Sequence, residues 1–158
     1  MLPRTYDTQV CSIARTLERI GDRWTMLVIR DAFLGVRRFD DFQRDLGIAR
    51  NVLTDRLGRL VDEGILARHA YQERPQRFEY RLTEKGIDLW PVLISLMKWG
   101  DRHELADGGP PTLIVHRDCG GTVNERFVCE ECGGDVDARH AEARPGPGAS
   151  RRWPTAVL

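Results

Sequence analysis

Leu53, Leu57, Leu60 and Val61, in the stretch IARNVLTDRLGRLVDEG from Ile48 to Gly64, fall on one stripe of a helix and predict a core-facing side. Away from that stripe lie Arg50, Asn51, Thr54 and Arg59, with Arg56 at its edge. Gly64 follows the last turn, where a C-terminal cap belongs. Upstream, Val10, Ile13, Ala14, Leu17 and Ile20 predict a helix from about Thr8 that stops at Gly21. Asp22 can cap the next one, WTMLVIRDAFLG, which is apolar on most sides, is expected at the centre of the core, and ends at Gly35. Arg37-Arg38-Phe39 reads as a short linker. A helix beginning at Asp40 or Asp41 turns Phe42 and Leu46 inward and ends at Gly47.

Two short helices with a tight glycine joint, the second exposing Arg, Asn and Thr, predict a helix–turn–helix. After Gly64 the period changes to the alternation of strands. ILARHAYQERPQRFEYRLT reads as a hairpin turning at Glu73-Arg74-Pro75-Gln76, with Arg74 and Arg77 at its tip. A hairpin placed there is a wing; the plainer alternative is a solvated tip. Thr83 then caps one long helix, EKGIDLWPVLISLMKWGDRH, in which Pro91 marks a kink or a break. Its apolar positions, Ile87, Trp90, Leu93, Ile94 and Met97 with Leu89, Leu96 and Trp99, cover more than one stripe. The surplus calls for a second partner, either the same helix of another copy or the C-terminal segment.

The fold class is therefore α+β: a winged helix–turn–helix domain with a long C-terminal dimerisation helix and a small C-terminal zinc-ribbon-like β segment. The expected organisation is an N-terminal arm over 1–10, the winged-helix domain over 11–105, a cysteine-bearing segment over 112–140 and a poorly ordered Pro/Gly-rich tail over 141–158. ADGGPP, residues 106–111, is the linker, and no internal repeat is evident. Arg151-Arg152-Trp153 in the tail is a candidate contact point.

Net charge is zero, which excludes a polybasic nucleic-acid binder. The charge is uneven: residues 1–100 carry 17 Arg and Lys against 14 Asp and Glu, and residues 101–158 carry 7 against 10. No apolar run is long enough to span a membrane, and the first residues lack a signal peptide's apolar stretch. A cytoplasmic protein with reduced cysteines is expected.

With these pieces in place, Cys11 to about His103 resembles the HxlR-type winged-helix regulators, relatives of the MarR-like repressors. The resemblance rests on CSIARTLERIGDRWTMLVIRDAFLG, RRFDDFQRDLGIARNVLTDRLGRLVDEGIL and YRLTEKGIDLWPVLISLMKWG, in family order. It implies a homodimeric transcriptional regulator that binds double-stranded DNA, with the helix from Ala49 in the major groove and the tip at Arg74–Arg77 on flanking DNA. It also implies that Cys11 can serve as a sensor of oxidants or electrophiles; the alternative is a small buried hydrophobe. Ser12 departs from the proline often found beside that cysteine.

The chemistry of the residues supports particular roles. Asn51 can pair with adenine and Arg50 with guanine, and Thr54 can touch a phosphate or a thymine methyl. Arg56 and Arg59 suit phosphates, as does Arg38. His116, Cys119, Cys129 and Cys132 are spaced H-x2-C-x9-C-x2-C, each pair followed by glycine, as in a zinc ribbon whose metal is structural. The alternatives there are free thiols or a redox pair at Cys129 and Cys132, and His103 and His140 are substitute ligands. No catalytic constellation accompanies these residues, so no enzyme is expected. The other functional reading is a winged-helix protein-interaction module whose ribbon docks a partner.

Overall fold

The computed structural model describes residues 11–104, 108–144 and 146–148. The expectations for the arm over 1–10 and for Arg151–Trp153 lie outside the described residues. The chain divides into two compact units, Met1–Leu93 and Ile94–Leu158. The division falls within a helix rather than at the 106–111 linker. The reason is that the helix's C-terminal part makes its contacts with the cysteine-bearing segment, as in the ion pair of Arg102 with Glu125.

The first unit runs α1 (Ser12–Ile20), α2 (Arg23–Phe33), α3 (Phe39–Leu46), α4 (Arg50–Asp62), β1 (Leu66–Glu73), β2 (Gln76–Leu82) and α5 (Glu84–Ile87). Asp22 caps α2 by accepting from the Trp24 N–H at 2.9 Å. As its pattern predicts, α2 is central: Thr25, Val28, Ile29, Asp31 and Ala32 are all buried. Asp31 is the charged residue among them, and Arg30 Nε donates to it at 2.8 Å. Trp24 packs against the core as a half-buried anchor. α3 starts at Phe39, one residue before the aspartates, with Asp40 and Asp41 in its first turn where a helix favours negative charge.

Gly47 makes the joint between α3 and α4. It adopts a left-handed conformation, φ 60°, and its N–H closes on Gln43 at 3.0 Å. Ile48 then drops into the core, and α4 buries Leu53, Leu57 and Leu60 beside Phe42 and Ile29. α4 ends in a Schellman motif. The Gly64 N–H reaches Val61 O and the Ile65 N–H reaches Leu60 O, both at 2.9 Å, with Gly64 at φ 66°.

β1 and β2 pair antiparallel from Leu66↔Leu82 to Glu73↔Gln76, with a bulge between Ala70 and Gln72. Arg38 adds an isolated bridge to Glu79, which ties the linker before α3 to the edge of the two-stranded wing. Thr83 pins the base of the hairpin. Its hydroxyl donates to Gly64 O at 2.6 Å and accepts from the Gly86 N–H at 3.1 Å.

The single long helix expected after Thr83 is broken. α5 is one turn, Asp88 and Leu89 intervene, and α6 runs Trp90–His103. Pro91 lies in the first turn of α6, where its missing N–H forfeits no intrahelical bond. The second unit holds the rest of α6 and two small hairpins. One is the Val115↔Thr122 bridge, and the other pairs β3 (Phe127–Val128) with β4 (Asp135–Val136). No described helix is long and apolar enough to cross a membrane.

Candidate nucleic-acid interface

α4 presents its unburied face as a stripe. Arg50, Asn51, Thr54 and Gly58 are all exposed and fall at helical spacing. Ala49, the N-cap, has no side chain that could occupy the helix's first N–H groups. Positive potential at this end therefore adds to that of Arg50. Thr54 Oγ1 donates back to Arg50 O at 2.8 Å, leaving its methyl and oxygen lone pairs for an outside contact.

The wing faces the start of α4 across an open groove of about 520 Å³, lined among others by Arg38, Asp40, Arg50, Tyr71, Arg77 and Phe78. Aromatic rings hold the arginines here. Arg50 lies over Phe39 at 4.8 Å and Arg38 over Tyr71 at 4.5 Å, while Arg68 stacks on Phe78 at 4.1 Å. A guanidinium held over a ring has less freedom to lose when it meets a phosphate or a base edge. Acidic groups temper the charge. Arg50 is 3.9 Å from Asp40, and Arg38 is 3.7 Å from Glu79. Glu79 sits below the ordinary carboxylate range, chiefly through the hydrogen bond from Arg81, and so stays ionised beside Arg38.

The residues expected to meet DNA do not all behave alike. Arg38, Arg50 and Arg77 line one groove, Asn51 and Thr54 sit on the exposed stripe, and Arg74 is exposed at the hairpin turn. Arg59 is exposed, with no side-chain partner among the described residues. Arg56 differs: its side chain is 17% exposed, 3.0 Å from Asp22 and 2.8 Å from Asp55. It ties α4 to the cap of α2 and is not poised for a phosphate. Phe39, Tyr71 and Phe78 were not singled out from the sequence. Arg50 meets Phe39 through the packing of α4 on α3, and Arg38 meets Tyr71 beside its bridge to Glu79, tertiary contacts without a local signature in the sequence.

Gly58 is the one glycine in the middle of α4. A Cβ added there would meet nothing within 4 Å. Gly58→Ala is expected to stabilise the fold by about 0.5–1 kcal/mol, the usual helix-interior difference. If this face enters a groove, the same change weakens DNA binding, because the added methyl stands where DNA approaches. Thermal melts and anisotropy titrations of the one variant test both signs.

Cys11 is exposed at the N-cap of α1 and makes no capping bond with its side chain. In the single chain its thiol is open to solvent rather than packed into the core. In the second unit, His116 Nδ1 lies 3.2 Å from Cys119 Sγ. The Cys129 thiol is held below its ordinary pKa, first by the backbone N–H of Cys132, then by that of Glu131 and by the Cys132 thiol. The two pairs each form. Among the described residues, however, no three His, Cys, Asp or Glu side chains converge.

A tri-helical core, a glycine joint, an exposed polar stripe on the second helix of the motif and an arginine-bearing hairpin beside it define a winged helix–turn–helix DNA-binding domain. The sequence profile of the HxlR-like helix–turn–helix family matches residues 19–107. The chain belongs to that family and is a transcriptional regulator with a helix–turn–helix DNA-binding domain. It is 45% identical over 137 residues to the uncharacterized HTH-type transcriptional regulator Rv3095 of Mycobacterium tuberculosis, covering 87% of each chain. The fold is similar to that of PA1607, a candidate transcription factor, with TM-score 0.80, 35% identity and coverage of 89% of this chain and 99% of that one. It is also similar to the redox regulator HypR in its reduced form, with TM-score 0.56, 32% identity and coverage of 60% and 94%.

Proposed function

We propose that the protein is a cytoplasmic regulator that binds an inverted-repeat operator as a homodimer. α4 enters the major groove, and the turn at Arg74 with Arg77 rests on flanking backbone. The observation that carries this reading is the groove that joins Arg38 and Arg77, on the wing side, to Arg50 at the start of α4. Apolar side chains left exposed support a second copy: Ile13 and Leu17 on α1, and Val92, Leu96 and Trp99 on α6. A two-fold dimer sets its recognition helices roughly 34–36 Å apart, one turn of DNA. The exposed Cys11 supports a response to oxidants or electrophiles, and HypR is a redox regulator of similar fold.

The test is anisotropy with a duplex from the DNA upstream of the protein's own gene, over a salt series and in reductant. Binding about a thousandfold tighter than to a scrambled duplex is expected, the margin typical of a specific site. Peroxide is expected to change that affinity in the parent and not in Cys11→Ser. Equal, salt-labile binding to both duplexes counts against an operator at that position. An oxidant effect that survives Cys11→Ser removes Cys11 as the sensor.

A further inference from the structure

The second unit carries chemistry that DNA binding does not use. Contrary to the reading that the chain lacks repeats, VHRDCGGTV from Val115 and VCEECGGDV from Val128 are two copies of one pattern. They also fold alike. In the first copy the His116 N–H donates to Gly121 O at 2.7 Å and the Gly120 N–H to His116 O at 2.8 Å. In the second, the Cys129 N–H donates to Gly134 O and the Gly133 N–H to Cys129 O, both at 2.9 Å. Gly120 and Gly133 share φ 70°, a conformation that side chains resist. The strands pair at the same offset, Val115↔Thr122 and Val128↔Asp135. A Cβ on Gly121 would stand 3.3 Å from Cys119 Sγ, and one on Gly134 would stand 3.4 Å from Cys132 Sγ. In both copies the second glycine lies against the sulfur, more tightly in the first.

The first turn also brings its first ligand to its second. His116 Nδ1 and Cys119 Sγ are 3.2 Å apart. Two ligands on one tetrahedral zinc lie roughly 3.6 Å apart, given Zn–N of about 2.0 Å and Zn–S of about 2.3 Å, so a small opening admits the ion. Asp118 Oδ2 lies 3.7 Å from His116 Nε2, on the far side of the ring. The second copy repeats the backbone bonds that shape the first turn, from the Cys129 N–H to Gly134 O and from the Gly133 N–H to Cys129 O.

We propose that His116, Cys119, Cys129 and Cys132 form a structural zinc site, each copy supplying one chelating half. A redox role for Cys129 and Cys132 explains only one copy. The other has the same hydrogen bonds and the same glycines around a histidine, which cannot enter a disulfide. The two halves do not converge on each other in the described residues, so closing them on one ion is what the metal contributes. The unit has need of it, since Leu113, Val115, Phe127 and Val128 are all about half exposed or more. A segment with so little core gains its order from coordination. Four protein ligands leave no open position, as in structural rather than catalytic zinc sites.

The full chain, purified without chelator from zinc-supplemented cells, is expected to carry about one zinc per chain by elemental analysis. Co2+ added to the metal-stripped protein should give the visible bands of a tetrahedral, thiolate-bound ion. Cys129→Ser and His116→Ala should each lose both signals, while Cys11→Ser keeps them. Cooperative unfolding of the winged-helix unit is followed in every variant to separate loss of metal from loss of fold. Three results overturn the proposal: metal-free protein with four titratable thiols, a Cys129–Cys132 disulfide in the intact mass, or metal content indifferent to the substitutions.

Discussion

Gly86→Ala is expected to lower the stability of the winged-helix unit by about 3 kcal/mol, the upper end for overpacking. An alanine Cβ at this buried position would stand 2.2 Å from Ile65 O and 3.0 Å from Leu82 Cδ2. The leucine can rotate away, but the carbonyl cannot. Ile65 O already accepts from the Thr83 N–H at 3.1 Å and from its hydroxyl at 3.2 Å. Ile65 is also the residue whose N–H closes the end of α4. Relieving the clash therefore moves the base of the wing against the end of α4 or breaks the Thr83 network. Urea unfolding of Gly86→Ala should show a lower midpoint at unchanged slope, with Gly58→Ala moving the opposite way. A parental midpoint would mean that the chain does not pass this close to Ile65. The same geometry gives a physical reason for the LTxxG spacing from Leu82 to Gly86: threonine bonds the Gly64 and Ile65 carbonyls just past α4, and glycine lets α5 lie against Ile65 O.

Much of this architecture is legible in the residues because it rests on local signals. The stripe of Leu53, Leu57 and Leu60, the glycines at 47 and 64 and the alternating apolar positions of the hairpin each act within a few residues, and each element forms where its signal lies. Features set by tertiary contact are harder to read. Arg56 lies on the same helix as Arg50 and Arg59, yet Asp22 lies beside it in space and draws it inward. The break at Asp88 and Leu89 is hidden because the apolar pattern runs on across it. Only Pro91 hints that a new helix starts there. The repeat in the second unit escapes composition and periodicity alike. Its copies share two glycines, a ligand spacing and a flanking valine at each end, too few apolar positions to set a period, and their likeness emerges from hydrogen bonds between backbone groups.

Arg50→Ala and Arg74→Ala are expected to weaken operator binding in different ways. Arg50 begins α4, lies over Phe39 and is only 3.9 Å from Asp40, an ion pair too long and exposed to hold it firmly. It can leave that carboxylate for a guanine edge, and its loss should cost roughly 1–3 kcal/mol, about 5- to 150-fold in affinity, concentrated at one base position. Arg74 stands on the exposed turn, and its side chain has no partner among the described residues. A phosphate is the group within its reach, so Arg74→Ala should weaken every duplex by a similar factor and lower the salt slope by about 0.9. Titrating both variants against the operator and single-position mutants, at several salt concentrations, separates the roles. If Arg50→Ala lowers all duplexes equally and reduces the slope as Arg74→Ala does, Arg50 serves the backbone, and Asn51 is left as the base reader at this end of the helix. If neither variant changes either quantity, α4 does not enter the groove in this orientation. The exposed stripe then belongs to a protein partner.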